Sequence, residues 1–110
     1  MARRRLVRKS RFVKVKGEKR VGEVRLYALS TCIWCRKAKA LLDRSGVEYE
    51  YVDVDELDLD DRGETEREVR RLAGKVTFPT MVVDGTVVTG YDEYRLRKVL
   101  KLDGRKVRRL

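Results

Sequence analysis

Cys32 and Cys35 are the only two cysteines of the chain, and they stand as Cys32-Ile33-Trp34-Cys35. Two thiols at this spacing can close into a disulfide and open again, which moves two electrons to or from a partner. The 110 residues contain no histidine, so cysteine–histidine hydrolysis and histidine acid/base chemistry are excluded. A zinc ion wants four ligands, and two cysteines leave a single chain short; zinc or an iron–sulfur cluster would need carboxylates or a second chain. No metal and no other cofactor is expected. A purely structural disulfide is the plain alternative, since intracellular proteins of hyperthermophiles can be rich in disulfides. A bridge across so short a loop, however, constrains little of the unfolded chain.

The flanking residues decide among these readings. Val24 to Leu29 is an apolar, β-favouring run that passes through Ser30 and Thr31 directly into Cys32. From Trp34 to Ser45, Cys35, Ala38, Leu41 and Leu42 recur at helical intervals with Arg36, Lys37 and Lys39 between them, and Gly46 is a suitable stop. The dithiol therefore lies where a strand ends and a helix begins. A helix N-terminus favours a thiolate, and Arg36 and Lys37 add positive charge; such settings lower a thiol pKa from about 8.5 to roughly 3.5–7.5. Cys32 precedes the helix and is expected to be the exposed nucleophile, with Cys35 on the inward face as the resolving thiol.

The remaining elements supply a frame. Val47 to Val54 alternates like a strand, and residues 61 to 73 read as a helix with acids first, arginines later and Gly74 as terminator, its apolar stripe reduced to Val69, Leu72 and Ala73. Met81 to Val83 and Thr86 to Val88 flank Asp84-Gly85, the signature of a tight hairpin. Asp92 to Leu102 closes as a helix. The order β α β α β β α predicts an α/β chain with a mixed four-stranded sheet flanked by helices, the thioredoxin-like architecture. Residues 12 to 16 fit a short strand about as well as a solvated extension.

Charge separates the body from its ends. The formal charge is +10 at pH 7, with ten basic side chains and one acidic among residues 1–20, and eight against one among residues 95–110. The chain divides into a basic N-terminal arm (1–20), a domain (22–102) and a basic tail (103–110), with residues 1–11 read as a disordered arm. Weak nucleic-acid contact through these ends is an alternative to plain solvation. No apolar run could span a membrane and none follows the N-terminal arginines as a leader would, so a cytoplasmic protein is expected; a monomer is the expected state. The lack of Asn, Gln and His beside abundant Arg, Lys, Glu and Asp suggests a thermophilic source.

The stretch from Tyr27 through Cys32-Ile33-Trp34-Cys35 to Leu42 resembles the glutaredoxin family and its relatives that donate electrons to ribonucleotide reductase. The resemblance continues at Tyr51-Val52-Asp53-Val54-Asp55, at Thr77-Phe78-Pro79-Thr80 and at Gly90-Tyr91-Asp92, so it covers about residues 22–102. It implies a cis Phe78–Pro79 bond opposite the dithiol, with the Phe78 backbone pairing to an extended disulfide-bearing protein substrate. It also implies a substrate surface that includes Gly90, Tyr91 and Asp92; Trp34 is either an aromatic packing residue or, as an exposed ring beside the dithiol, a further partner contact. Three departures matter. Ile33-Trp34 replaces the family's Pro-Tyr pair, Leu29 stands where glutathione-using members commonly carry lysine, and Thr89 replaces the first glycine of their Gly-Gly pair. The first bears on redox poise; Leu29 and Thr89 favour a thioredoxin-reductase-type enzyme over glutathione as the electron source.

Overall fold

The computed structural model describes residues 11–102; the first half of the basic arm (1–10) and the basic tail (103–110) lie outside them. Five strands form one sheet: β1 (Val13–Val15), β2 (Val24–Ala28), β3 (Tyr49–Asp53), β4 (Thr80–Val83) and β5 (Thr86–Thr89). Three helices, α1 (Ile33–Arg44), α2 (Leu59–Ala73) and α3 (Glu93–Val99), cover it. The strand order is β1-β3-β2-β4-β5, with β2 and β3 parallel and the other neighbours antiparallel. This is the thioredoxin-like fold, with one strand more than the expected four. The extra strand is the alternating run at 13–15, which pairs with Tyr49–Tyr51 and covers an edge of β3 that would otherwise stay open.

Alternation along the strands sorts side chains onto two faces. Val24, Leu26 and Ala28 of β2 join Met81 and Val83 of β4 on one face, where Ala38, Leu41 and Leu42 of α1 and Leu96 and Leu100 at α3 pack on them. Tyr27 and Val52 point to the other face and meet Val54 and Val69. Burying a leucine side chain contributes about 1.5–3 kcal/mol, so the first face holds its helices by apolar contact.

The second face has less to offer. Of the expected stripe on α2, Val69 is buried, Ala73 is half-buried and Leu72 stays 39% exposed, while Thr65 is buried in its place. Polar contacts make up the difference. The Tyr27 hydroxyl donates to Glu68 at 2.9 Å, and Arg11 donates to Thr65 Oγ1 at 2.6 Å and to Glu68 at 3.1 Å. Arg11, expected in a solvated arm, is thus part of the folded body.

The turns follow their residues. The β4–β5 hairpin closes through Asp84 (φ 48°) and Gly85 (φ 88°), the paired positive angles of a tight turn. Helix α3 stops at Val99, short of the expected Leu102, because Lys101 adopts φ 60°. Gly17 lies against the start of β3, and a Cβ there would meet the Gly46 carbonyl at 2.5 Å and the Glu48 nitrogen at 2.7 Å. Beside it, Lys19 exchanges 2.9 Å backbone bonds with Gly46 and Glu48. Gly17→Ala must push this edge outward, and a loss of about 1–3 kcal/mol is expected in urea unfolding. Amide exchange should quicken in β1; unchanged stability would show that the edge yields without cost.

Candidate active site

The parallel β2–β3 pair and the antiparallel β2–β4 and β4–β5 pairs bring four chain segments to one end of the sheet. Tyr27 lies opposite Val52 and Thr80, and Thr80 lies opposite Thr89. The loops that follow β2, β3 and β5 therefore emerge beside the loop that precedes β4. They carry the Cys32–Cys35 segment, Asp53 to Asp55, Gly90 to Asp92 and Thr77 to Pro79.

Cys32 is the N-cap of α1, in extended conformation, and its Sγ accepts the Cys35 N–H at 3.2 Å. A sulfur has taken the place usually filled by a serine or aspartate oxygen, so an otherwise orphaned helix N–H and the positive end of the helix dipole both address it. The Cys32 N–H donates to the Leu29 carbonyl at 3.2 Å, which fixes the approach to the cap. Cys32 is partly exposed. Cys35 sits one turn on, facing the core with 0% exposure. Burial first, and then the contact with Cys32, push the Cys35 thiol up to about 12, while a backbone hydrogen bond from Leu29 and the charge of Lys39 act in the opposite direction.

The loop before the dithiol is held from β3. Asp55 accepts the Ser30 N–H at 2.8 Å and the Ser30 hydroxyl at 2.6 Å. These bonds hold the Asp55 carboxyl below the usual carboxylate range. Lys39, one helical turn below Cys35, donates to both Asp53 oxygens at 3.1 and 3.2 Å and lies 4.2 Å from the Tyr51 ring centroid. Arg36 and Lys37 are exposed, and neither hydrogen-bonds a cysteine sulfur among the described residues. Lys37 instead sets its Nζ 5.7 Å from the Trp34 ring centroid. Lys39, Asp53, Asp55 and Ser30 were not singled out from the sequence. Lys39 had a legible signal in its i+4 spacing from Cys35; the Asp55 clamp depends on strand register and had none.

The Phe78–Pro79 bond is cis. Pro79 is buried, and its carbonyl accepts the Gly90 N–H at 2.7 Å, tying the third and fourth segments together. Gly90 adopts φ 75°, a conformation that favours glycine. Phe78 packs against both core clusters, and Cys32 packs against one of them. Tyr91 stacks on Trp34 with centroids 6.0 Å apart and planes at 23°. Asp92 caps α3 by accepting the Arg95 N–H at 3.2 Å.

The glutaredoxin family model matches residues 24–88. The chain belongs to the glutaredoxin family. It is 37% identical over 79 residues to glutaredoxin 1 of Rickettsia prowazekii, across 71% of this chain and 80% of that one. Among solved structures it resembles a glutaredoxin from Methanosarcina mazei, with 39% identity, a TM-score of 0.74, and 83% and 88% of the two chains covered. It also resembles the methanoredoxin of Methanosarcina acetivorans, with 36% identity, a TM-score of 0.71, and 74% and 86% covered. Glutaredoxin membership makes this protein a thiol–disulfide oxidoreductase.

Folding raises the Cys35 thiol from 9.0 to about 12, so the folded state keeps a proton that the unfolded chain gives up. Its stabilising effect is complete below pH about 9 and is lost as the pH rises toward about 12. The Tm of the reduced protein should fall more steeply across that window than the Tm of Cys35→Ala. Parallel slopes would mean that Cys35 is not shielded as described.

Proposed function

We propose that this glutaredoxin is a dithiol electron carrier that reduces protein disulfides, with Cys32 attacking and Cys35 resolving. The observation that carries the reading is the asymmetry of the pair: Cys32 partly exposed at a helix cap, Cys35 fully buried behind it. In the first step the Cys32 thiolate attacks one sulfur of the substrate disulfide. A Cys32–substrate disulfide forms, and the other substrate sulfur leaves as a thiolate. Cys35 then loses its proton and attacks Cys32 Sγ, forming the Cys32–Cys35 disulfide and expelling the second substrate thiolate. Two electrons have passed from the dithiol to the substrate.

Burial of Cys35 keeps it protonated and silent until the mixed disulfide stands in front of it. The Lys39 charge eases its deprotonation at that point. The Phe78 N–H and C=O have no backbone partner among the described residues, beside the cis bond. An extended substrate strand can pair with them as β-augmentation. Trp34, Tyr91 and the Gly90–Asp92 loop flank that strand.

A two-electron donor must reset the disulfide. Leu29 packs with the second core cluster and supplies no cation beside Cys32, and Thr89 replaces a family glycine. Both features favour a thioredoxin-reductase-type enzyme over glutathione. The site suits a reducing compartment, in keeping with a cytoplasmic role.

Cys32→Ser should abolish insulin reduction, and Cys35→Ser should accumulate a mixed disulfide visible by mass. Full activity in Cys32→Ser would refute the assignment. Trp34 fluorescence of the oxidised protein should recover with a thioredoxin reductase and its nicotinamide cofactor far faster than with glutathione; the reverse order would return glutathione to the role.

A further inference from the structure

The two faces of the sheet carry opposite charge. Residues 54–73, on the face with α2, hold eight carboxylates and four arginines. On the other face, α1 sets Arg36, Lys37, Lys39 and Arg44 against Asp43, and α3 sets Arg95, Arg97 and Lys98 against Glu93. The cationic face is also the one that exposes aromatic surface next to the dithiol. Trp34 is 53% exposed despite its stack on Tyr91.

Charge and rings coincide on one ridge. Trp34, Lys37 and Arg44 are spaced by three and seven residues, which places them on one stripe of α1. Lys37 reaches over Trp34, and Arg44 and Arg97 lie near enough to the Tyr91 hydroxyl for their charge to act on it. Arg97 is already paired with Glu93 at 3.0 Å. Lys37 and Arg44 form no ion pair among the described residues. The ridge therefore presents half-covered rings and two cations without carboxylate partners, with Trp34 and Lys37 in the first turns after Cys32 and Arg44 at the far end of the same helix, about 18 Å along it.

We propose that this ridge selects acidic polypeptide substrates: an apolar side chain near the target disulfide rests on Trp34 and Tyr91, and neighbouring carboxylates meet Lys37 and Arg44. The inference rests on the dithiol reading above and names its substrate class. Desolvated aromatic anchors with a charged rim are the usual composition of a specific interface, and the rim charge acts chiefly on association rate. Asp92 and Glu93 beside Tyr91 are already engaged, Asp92 by the Arg95 N–H and Glu93 by Arg97, and so leave the charges of Lys37 and Arg44 uncompensated; a nucleic acid would also accept rings and cations, and single-stranded DNA is the competing ligand in the test.

The test uses the full chain and three peptides, each bearing one intramolecular disulfide flanked by glutamates, serines or lysines. At about 10 mM salt the wild type should show a kcat/KM for the acidic peptide about tenfold or more above that for the basic one, with the gap closing near 500 mM salt. The Lys37→Glu/Arg44→Glu double variant should erase or invert the ratio. A wild-type ratio near one, or a ratio the double variant leaves unmoved, would overturn the proposal. So would a double variant that loses retention on single-stranded DNA while keeping the acidic-peptide preference. Failure to reduce any of the three peptides would instead overturn the dithiol reading, and this inference with it.

Discussion

The hydrogen bond from the Cys35 N–H to the Cys32 sulfur joins the chemistry of this protein to its fold. It exists because β2 ends at Ala28 and α1 begins at Ile33, leaving Cys32 as the cap. The same 3.6-residue period that puts Cys35 one turn later turns it inward with Ala38, Leu41 and Leu42. One helix start thus gives two identical side chains opposite environments. One is solvent-facing and answered by a backbone N–H; the other is stripped of water. The division of labour we propose, with Cys32 attacking and Cys35 resolving, rests on that difference.

Everything else at the sheet end serves to hold that start in place or to complete the surface around it. Asp55 clamps Ser30 through both of its oxygens, and the Leu29 carbonyl holds the Cys32 N–H. Pro79 and Gly90 are linked to each other by a 2.7 Å bond. The Asp55–Ser30 and Pro79–Gly90 contacts cross from β3 to β2 and from β4 to β5, so their geometry depends on register. An even shift of register would move the partners away, and an odd one would turn them to the wrong face.

Much of this was legible in the sequence, for local reasons. The strand–CxxC–helix pattern, the Asp84-Gly85 turn and the helix stop at Gly74 are each set by a few adjacent residues, and the structure forms all three. The short strand at 13–15 was ambiguous because three residues carry too little pattern; its pairing with Tyr49–Tyr51 is a long-range contact. The apolar stripe of α2 was misread at Leu72 because the second face is completed by polar contacts from Tyr27, Thr65, Glu68 and Arg11, which hydrophobic periodicity does not register. Charge proximity along the sequence pointed to Arg36 and Lys37 for Cys32; for the buried Cys35 thiol the acting cation is Lys39, a full turn away and anchored on Asp53, which that proximity does not register.

The most direct test of the account is a brief exposure of the reduced, folded protein to limiting iodoacetamide at neutral pH, followed by peptide mapping of the label. The account predicts modification at Cys32, with Cys35 unmodified until denaturant is added. Equal labelling of both cysteines, or labelling first at Cys35, would contradict it.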